Sequence, residues 1–132
     1  MTPQLDVVSV VVSDMAASVA FYRRLGLVFP DGAESEGHAE AVIGGGLRLA
    51  LDTEATIASF TPDWHPPTGP GRSSLAFRCA DPAEVDKLYA ELVDAGHHGE
   101  LAPWDAFWGQ RYASLADPDG HGIDLYAPLP AE

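Results

Sequence analysis

Apolar residues recur along this chain in two rhythms, one of period two and one of helical period. Leu5 to Val12 is a β-branched run and predicts a buried strand. Asp14 then offers an N-cap, and Met15, Val19, Tyr22 and Leu25 follow at helical spacing until Gly26 closes the segment. Leu27-Val28-Phe29 predicts a short strand, ended by a turn at Pro30-Asp31-Gly32. His38 to Ile43 alternates weakly, Gly44-Gly45-Gly46 predicts a turn, and Leu47 to Asp52 alternates cleanly. Thr53 to Phe60 has room for a short helix. Residues 61–73 carry Pro62, Pro66, Pro67, Gly69, Pro70 and Gly71, a density no regular element survives, and predict a connector.

The second half repeats the first. Ser74 to Cys79 predicts a strand, and Asp81-Pro82-Ala83-Glu84 has the form of a helix start: cap, proline at the first position, glutamate at the third. Val85, Leu88, Tyr89, Leu92 and Val93 form an amphipathic stripe that ends at Gly96. His97 to Leu101 predicts a strand and Ala102 to Gly109 a loop. The run from Arg111 to Tyr126 predicts a hairpin about the turn Asp117-Pro118-Asp119-Gly120. One offset separates Asp14 from Asp81, Tyr22 from Tyr89 and Leu25 from Leu92. Each half therefore reads strand–helix–strand–strand–strand. The chain divides into duplicated modules at about 5–60 and 74–128, within one domain.

Composition narrows the function classes. The chain has 132 residues and a formal net charge of −13, so its field repels nucleic acid and anionic membranes. Such a charge either favours cationic ligands or serves solubility. Cys79, the single cysteine, precludes an internal disulfide and sits in a hydrophobic strand as a small core residue. No apolar run approaches the roughly 20 residues of a membrane span. The start, Met1-Thr2-Pro3-Gln4-Leu5-Asp6, lacks the basic region of a secretory signal, so a cytoplasmic location is expected. No Gly-x-Ser-x-Gly element supports a serine hydrolase.

Val12-Ser13-Asp14 followed by Phe21-Tyr22-Arg23-Arg24-Leu25-Gly26, and Asp117-Pro118-Asp119-Gly120 followed by Ile123-Asp124-Leu125, resemble the vicinal oxygen chelate superfamily. That superfamily holds glyoxalase I, bleomycin-resistance proteins and extradiol dioxygenases. The resemblance spans nearly the whole chain. It implies an α+β fold of two βαβββ modules, forming a cupped, barrel-like mixed sheet with helices outside, in a homodimer. It also implies where metal-dependent members place their ligands: on the first and last strands of each module, at positions matching Val7, Ala50, Ser74 and Asp124 here. Valine and alanine have no donor atoms and one carboxylate cannot hold zinc or iron alone, so no metal and no cofactor are expected. His38, His65, His97, His98 and His121 all fall elsewhere. His38 is the candidate to line the cup.

Strand alternation sorts the remaining residues. With the four family positions inward, Ser9, Val11, Arg48, Asp52, Ala76, Arg78 and Tyr126 face inward too. The opposite set, Val8, Val10, Val12, Leu47, Leu49, Leu51, Leu75, Phe77, Cys79, Ile123 and Leu125, is wholly hydrophobic and belongs under the helices. An inward face of small or polar residues leaves space for a ligand. Beside it stand Phe60 and Trp64 near the connector, and Trp104, Phe107 and Trp108 in the later loop. These rings serve either as plugs or as stacking platforms. Gln110, Tyr112 and Ser114 share a phase and can hydrogen-bond a guest. Arg48 and Arg78 either face that guest or pair with Asp52 or Asp124. The candidate binding set is therefore His38, Arg48, Phe60, Trp64, Ser74, Trp104, Phe107, Trp108, Gln110, Tyr112 and Asp124. The reading is a non-catalytic binder that sequesters a small, aromatic, toxic natural product, as in antibiotic resistance. The alternative is a metal-dependent lyase, epimerase or dioxygenase of the same superfamily; a sensory module ranks last.

Overall fold

A computed structural model describes residues 2–69 and 71–131. The chain forms two compact units that divide between Thr68 and Gly69, inside the proline-rich 61–73 stretch, where no helix or strand is found among the described residues.

The first unit contains β1 (Val7–Val12), α1 (Met15–Arg24), a short 3-10 turn (Ala33–Ser35), β2 (His38–Gly44), β3 (Leu47–Thr53) and α2 (Glu54–Phe60). Asp14 caps α1 by accepting from the Ala17 N–H at 3.2 Å, and Arg23 and Arg24 lie at its negative end. The buried face of α1, Met15, Ser18, Val19, Phe21 and Tyr22, includes most of the predicted stripe. Sheet order is β1-β3-β2, with β1 parallel and β2 antiparallel to β3. Leu27-Val28-Phe29, expected as a strand, is irregular. Phe29 is buried but Val28 is exposed, and the segment pairs with neither sheet edge, so local β propensity found no ladder to join. The first unit is thus βαββ before α2, one strand short of the predicted module.

The second unit contains β4 (Ser74–Arg78), α3 (Pro82–Asp94), β5 (Gly99–Ala106), β6 (Gln110–Ala116) and β7 (Gly122–Pro128), the full βαβββ order. Asp81 accepts from the Glu84 N–H at 2.8 Å, and Glu84 accepts from the Ala80 N–H at 2.8 Å. The two side chains close the helix start reciprocally. Sheet order is β4-β7-β6-β5, with β4 parallel to β7 and the rest antiparallel. Asp117 is buried in the β6–β7 turn, where its Oδ1 accepts from the N–H groups of Asp119 (2.9 Å) and His121 (2.8 Å). Arg111 bridges Asp86 of α3 at 2.9 Å and Asp105 of β5 at 3.1 Å.

β5 corrects the expected loop at Ala102–Gly109. This segment contains Pro103, and β5 is an edge strand with register irregularities on both sides of Leu101. An edge or bulge tolerates a missing N–H. Trp104 is therefore a strand residue, while Phe107 and Trp108 occupy the turn before β6.

In each unit the predicted hydrophobic set turns toward the helices. Val10, Val12, Leu49, Leu51, Cys79, Ile123 and Leu125 are buried. The opposite set is exposed or half-buried except Ala50, which is buried on the central strand β3 between Ser9 and Glu40. Leu125 is fully buried on β7, between Phe77 of β4 and Ala113 of β6, in the sheet that packs against α3. Leu125→Ala is expected to cost about 2–5 kcal/mol of unfolding free energy, measured by urea denaturation.

Candidate functional site

Register places the chemistry-bearing residues in rows on the face away from each helix. In the first unit, His38 pairs with Asp52 and Glu40 with Ala50 across β2 and β3. His38 Nδ1 bonds Asp52, and its Nε2 bonds Glu40 Oε2 at 2.8 Å. Glu40 Oε1 accepts from Arg48 at 2.7 Å, and Arg48 donates to Asp6 at 2.6 Å. His38 and Arg48 thus meet through Glu40. The expected partners of Arg48, Asp52 or Asp124, are replaced by Glu40 and Asp6. Hydrogen bonds to Asp52 and then Glu40 raise the His38 pKa above that of a free imidazole. Phe60 is exposed at the end of α2, and Trp64 is half-buried in the connector, its backbone N–H donating to the Thr61 carbonyl at 3.0 Å.

In the second unit, Ser114 pairs with Asp124 and Asp124 with Ala76 across β6, β7 and β4. Ser74 donates to Asp124 Oδ2 at 3.0 Å and Ser114 donates to Oδ1 at 2.8 Å, so each carboxylate oxygen accepts a hydroxyl. The adjacent row is Trp104, Tyr112, Tyr126 and Arg78, one from each of β5, β6, β7 and β4. Burial, and after it the nearby Asp124 carboxylate, pushes the Tyr112 phenol up to about 12.

Trp108 joins these residues into one aromatic cluster. Its ring stands edge-on to Trp104 (5.6 Å between centroids), Phe107 (4.9 Å) and Tyr112 (5.2 Å). Its indole N–H donates to Gln110 Oε1 at 2.8 Å, whereas the covered Trp104 N–H has no acceptor among the described residues. Phe107 is 90% exposed and Trp108 47% exposed. The second unit therefore brings together Ser74, Trp104, Phe107, Trp108, Gln110, Tyr112 and Asp124, while His38 and Arg48 belong to the charge network of the first. Ser114 and Glu40 are the members that sequence reasoning left out of the candidate set. The shared phase of Gln110, Tyr112 and Ser114 was the available signal for the first. For Glu40, only its place two residues from His38 pointed to it.

Cys79 is buried, and burial with the nearby Glu84 and Asp81 charges raises its thiol to about 11. At neutral pH it is a packed thiol rather than a nucleophile.

Two units of this connectivity, each a mixed sheet with a polar face opposite its helix, define an α+β fold. The sequence matches the Glyoxalase/Bleomycin resistance protein/Dioxygenase superfamily over residues 4–125, and the chain belongs to that family. A family enzyme from Burkholderia phytofirmans PsJN superposes with a TM-score of 0.81 at 20% identity, covering 96% of this chain and 100% of that one. A glyoxalase/bleomycin resistance protein/dioxygenase from Nocardioides gives 0.73 at 26% identity, with 100% and 87% covered. The fosfomycin resistance protein FosX from Listeria monocytogenes gives 0.71 at 17% identity, with 98% and 96% covered. No curated protein matches the sequence significantly.

The ligand positions implied by the family resemblance do not fit a metal here. Val7 and Ala50 carry no donor atom, and the Ser74 hydroxyl is donated to Asp124. Among the described residues no group of three or more His, Cys, Asp or Glu side chains could hold an ion. His38 uses its two ring nitrogens on separate carboxylates.

Two outcomes follow. Because the native His38 pKa is raised, its contribution to stability is complete below the unfolded value of about 6.5 and is lost as pH rises through the native value. The melting temperature of His38→Gln should fall furthest below wild type near pH 6 and converge with it in alkaline buffer. Asp124→Asn should move the Tyr112 titration part of the way back toward that of free tyrosine, read by ultraviolet absorbance. The burial contribution remains in that variant.

Proposed function

We propose that this chain binds and sequesters a small, planar, aromatic toxic natural product without transforming it, as a homodimer acting in antibiotic resistance or self-protection. The observation that carries this reading is the cluster of Trp104, Phe107, Trp108 and Tyr112 beside Asp124. Two of its rings are open to solvent, and both oxygens of the neighbouring carboxylate already accept hydroxyls. Exposed indole and phenyl faces gain by stacking on a flat guest. The family's membership of bleomycin-resistance proteins, and the fold likeness to a fosfomycin resistance protein, agree with a resistance role.

Tryptophan fluorescence, titrated with planar aromatic antibiotics in the presence and absence of chelator, tests this reading. Saturable quenching that chelator leaves unchanged is expected, with the compound recovered intact. Trp108→Ala should weaken binding about five- to tenfold. Turnover of the compound that chelator abolishes would replace this reading with that of a metal-dependent lyase, epimerase or dioxygenase.

A further inference from the structure

Arg78 ends the aromatic row of the second sheet. Its neighbour in register is Tyr126, which pairs with Tyr112, which pairs with Trp104. Asp124, diagonally adjacent on β7, would ordinarily compensate it, since diagonal neighbours lie within reach of a long side chain. That carboxylate is instead engaged by Ser74 and Ser114, and no ion pair involves Arg78 among the described residues. Arg111, the other arginine of this sheet, has the opposite strand phase and is held by Asp86 and Asp105. Arg78 is exposed. This face therefore presents three aromatic side chains in a line and, at the end, one guanidinium that forms no ion pair among the described residues, within a chain of net charge −13. Three strand spacings set the length of the row at about 14 Å.

We propose, resting on the binding role above, that the guest is an elongated aromatic acid. Its rings lie along Trp104, Tyr112 and Tyr126, and its carboxylate or other planar anion pairs with Arg78. A guanidinium presents two parallel N–H donors that match a carboxylate, so the pairing selects orientation as well as charge. The acidic surface opposes this anion at long range, but at physiological ionic strength the screening length is about 8 Å and the local pair prevails.

The test uses biphenyl-4-carboxylate and its neutral analogue biphenyl-4-carboxamide, titrated by tryptophan fluorescence at physiological ionic strength. The acid should bind wild type about fivefold more tightly than the amide. Arg78→Gln should abolish that preference while leaving amide affinity unchanged, and Arg78→Lys should restore part of it. Equal affinity of wild type for acid and amide would overturn the charge assignment and leave the aromatic face standing. A preference that survives in Arg78→Gln would assign the anion to another group and overturn the proposal. If neither compound quenches fluorescence, the aromatic-face reading itself fails, and this inference with it.

Discussion

Strand register is the constraint on which everything else depends. In the first unit Val8 lies opposite Leu49 and Ser9 opposite Ala50; in the second, Leu75 lies opposite Ile123 and Ala76 opposite Asp124. These are the same pairings in duplicate, made between parallel first and last strands. Because side chains alternate, a slip by one residue would send Leu49, Leu51, Ile123 and Leu125 to water and bury Arg48 and Asp124. Packing of the apolar set under α1 and α3 forbids that slip. The polar face is thus defined as the complement of the core.

The two polar faces took different chemistry from one plan. On the first, His38 hydrogen-bonds Glu40, and Glu40 and Asp6 both form ion pairs with Arg48. On the second, Asp124 is held by neutral hydroxyls and the aromatic residues dominate. Arg78 on this face makes no ion pair among the described residues, whereas Arg48 in the other unit is paired twice.

Much of the architecture was legible because it rests on local chemistry. Asp14 and Asp81 cap the helices, Asp117 organises the turn from within, and the apolar positions mark both core faces. The errors fell where a residue's fate depends on its neighbours in space. Leu27–Phe29 has the composition of a strand and no ladder to join. Ala102 to Ala106, expected as part of a loop, is a strand, because an edge needs only half its backbone groups paired and so tolerates Pro103.

The candidate site divides in the same way. Which side of each strand Asp124, Tyr112 and Arg48 occupy is a matter of parity along the chain, and parity can be counted in a sequence. Which partner each of them meets depends on the order of strands within a sheet. Glu40 lies beside Arg48, and Ser74 and Ser114 flank Asp124, because β3 and β7 are inner strands with a neighbour on each side. The sequence by itself determined the repeat, the caps and the two-faced strands, since these follow from periodicity and backbone preference. Only the tertiary structure decided that Arg48 is paired twice while Arg78 makes no ion pair among the described residues, because electrostatic pairing depends on distances in space rather than on positions along the chain.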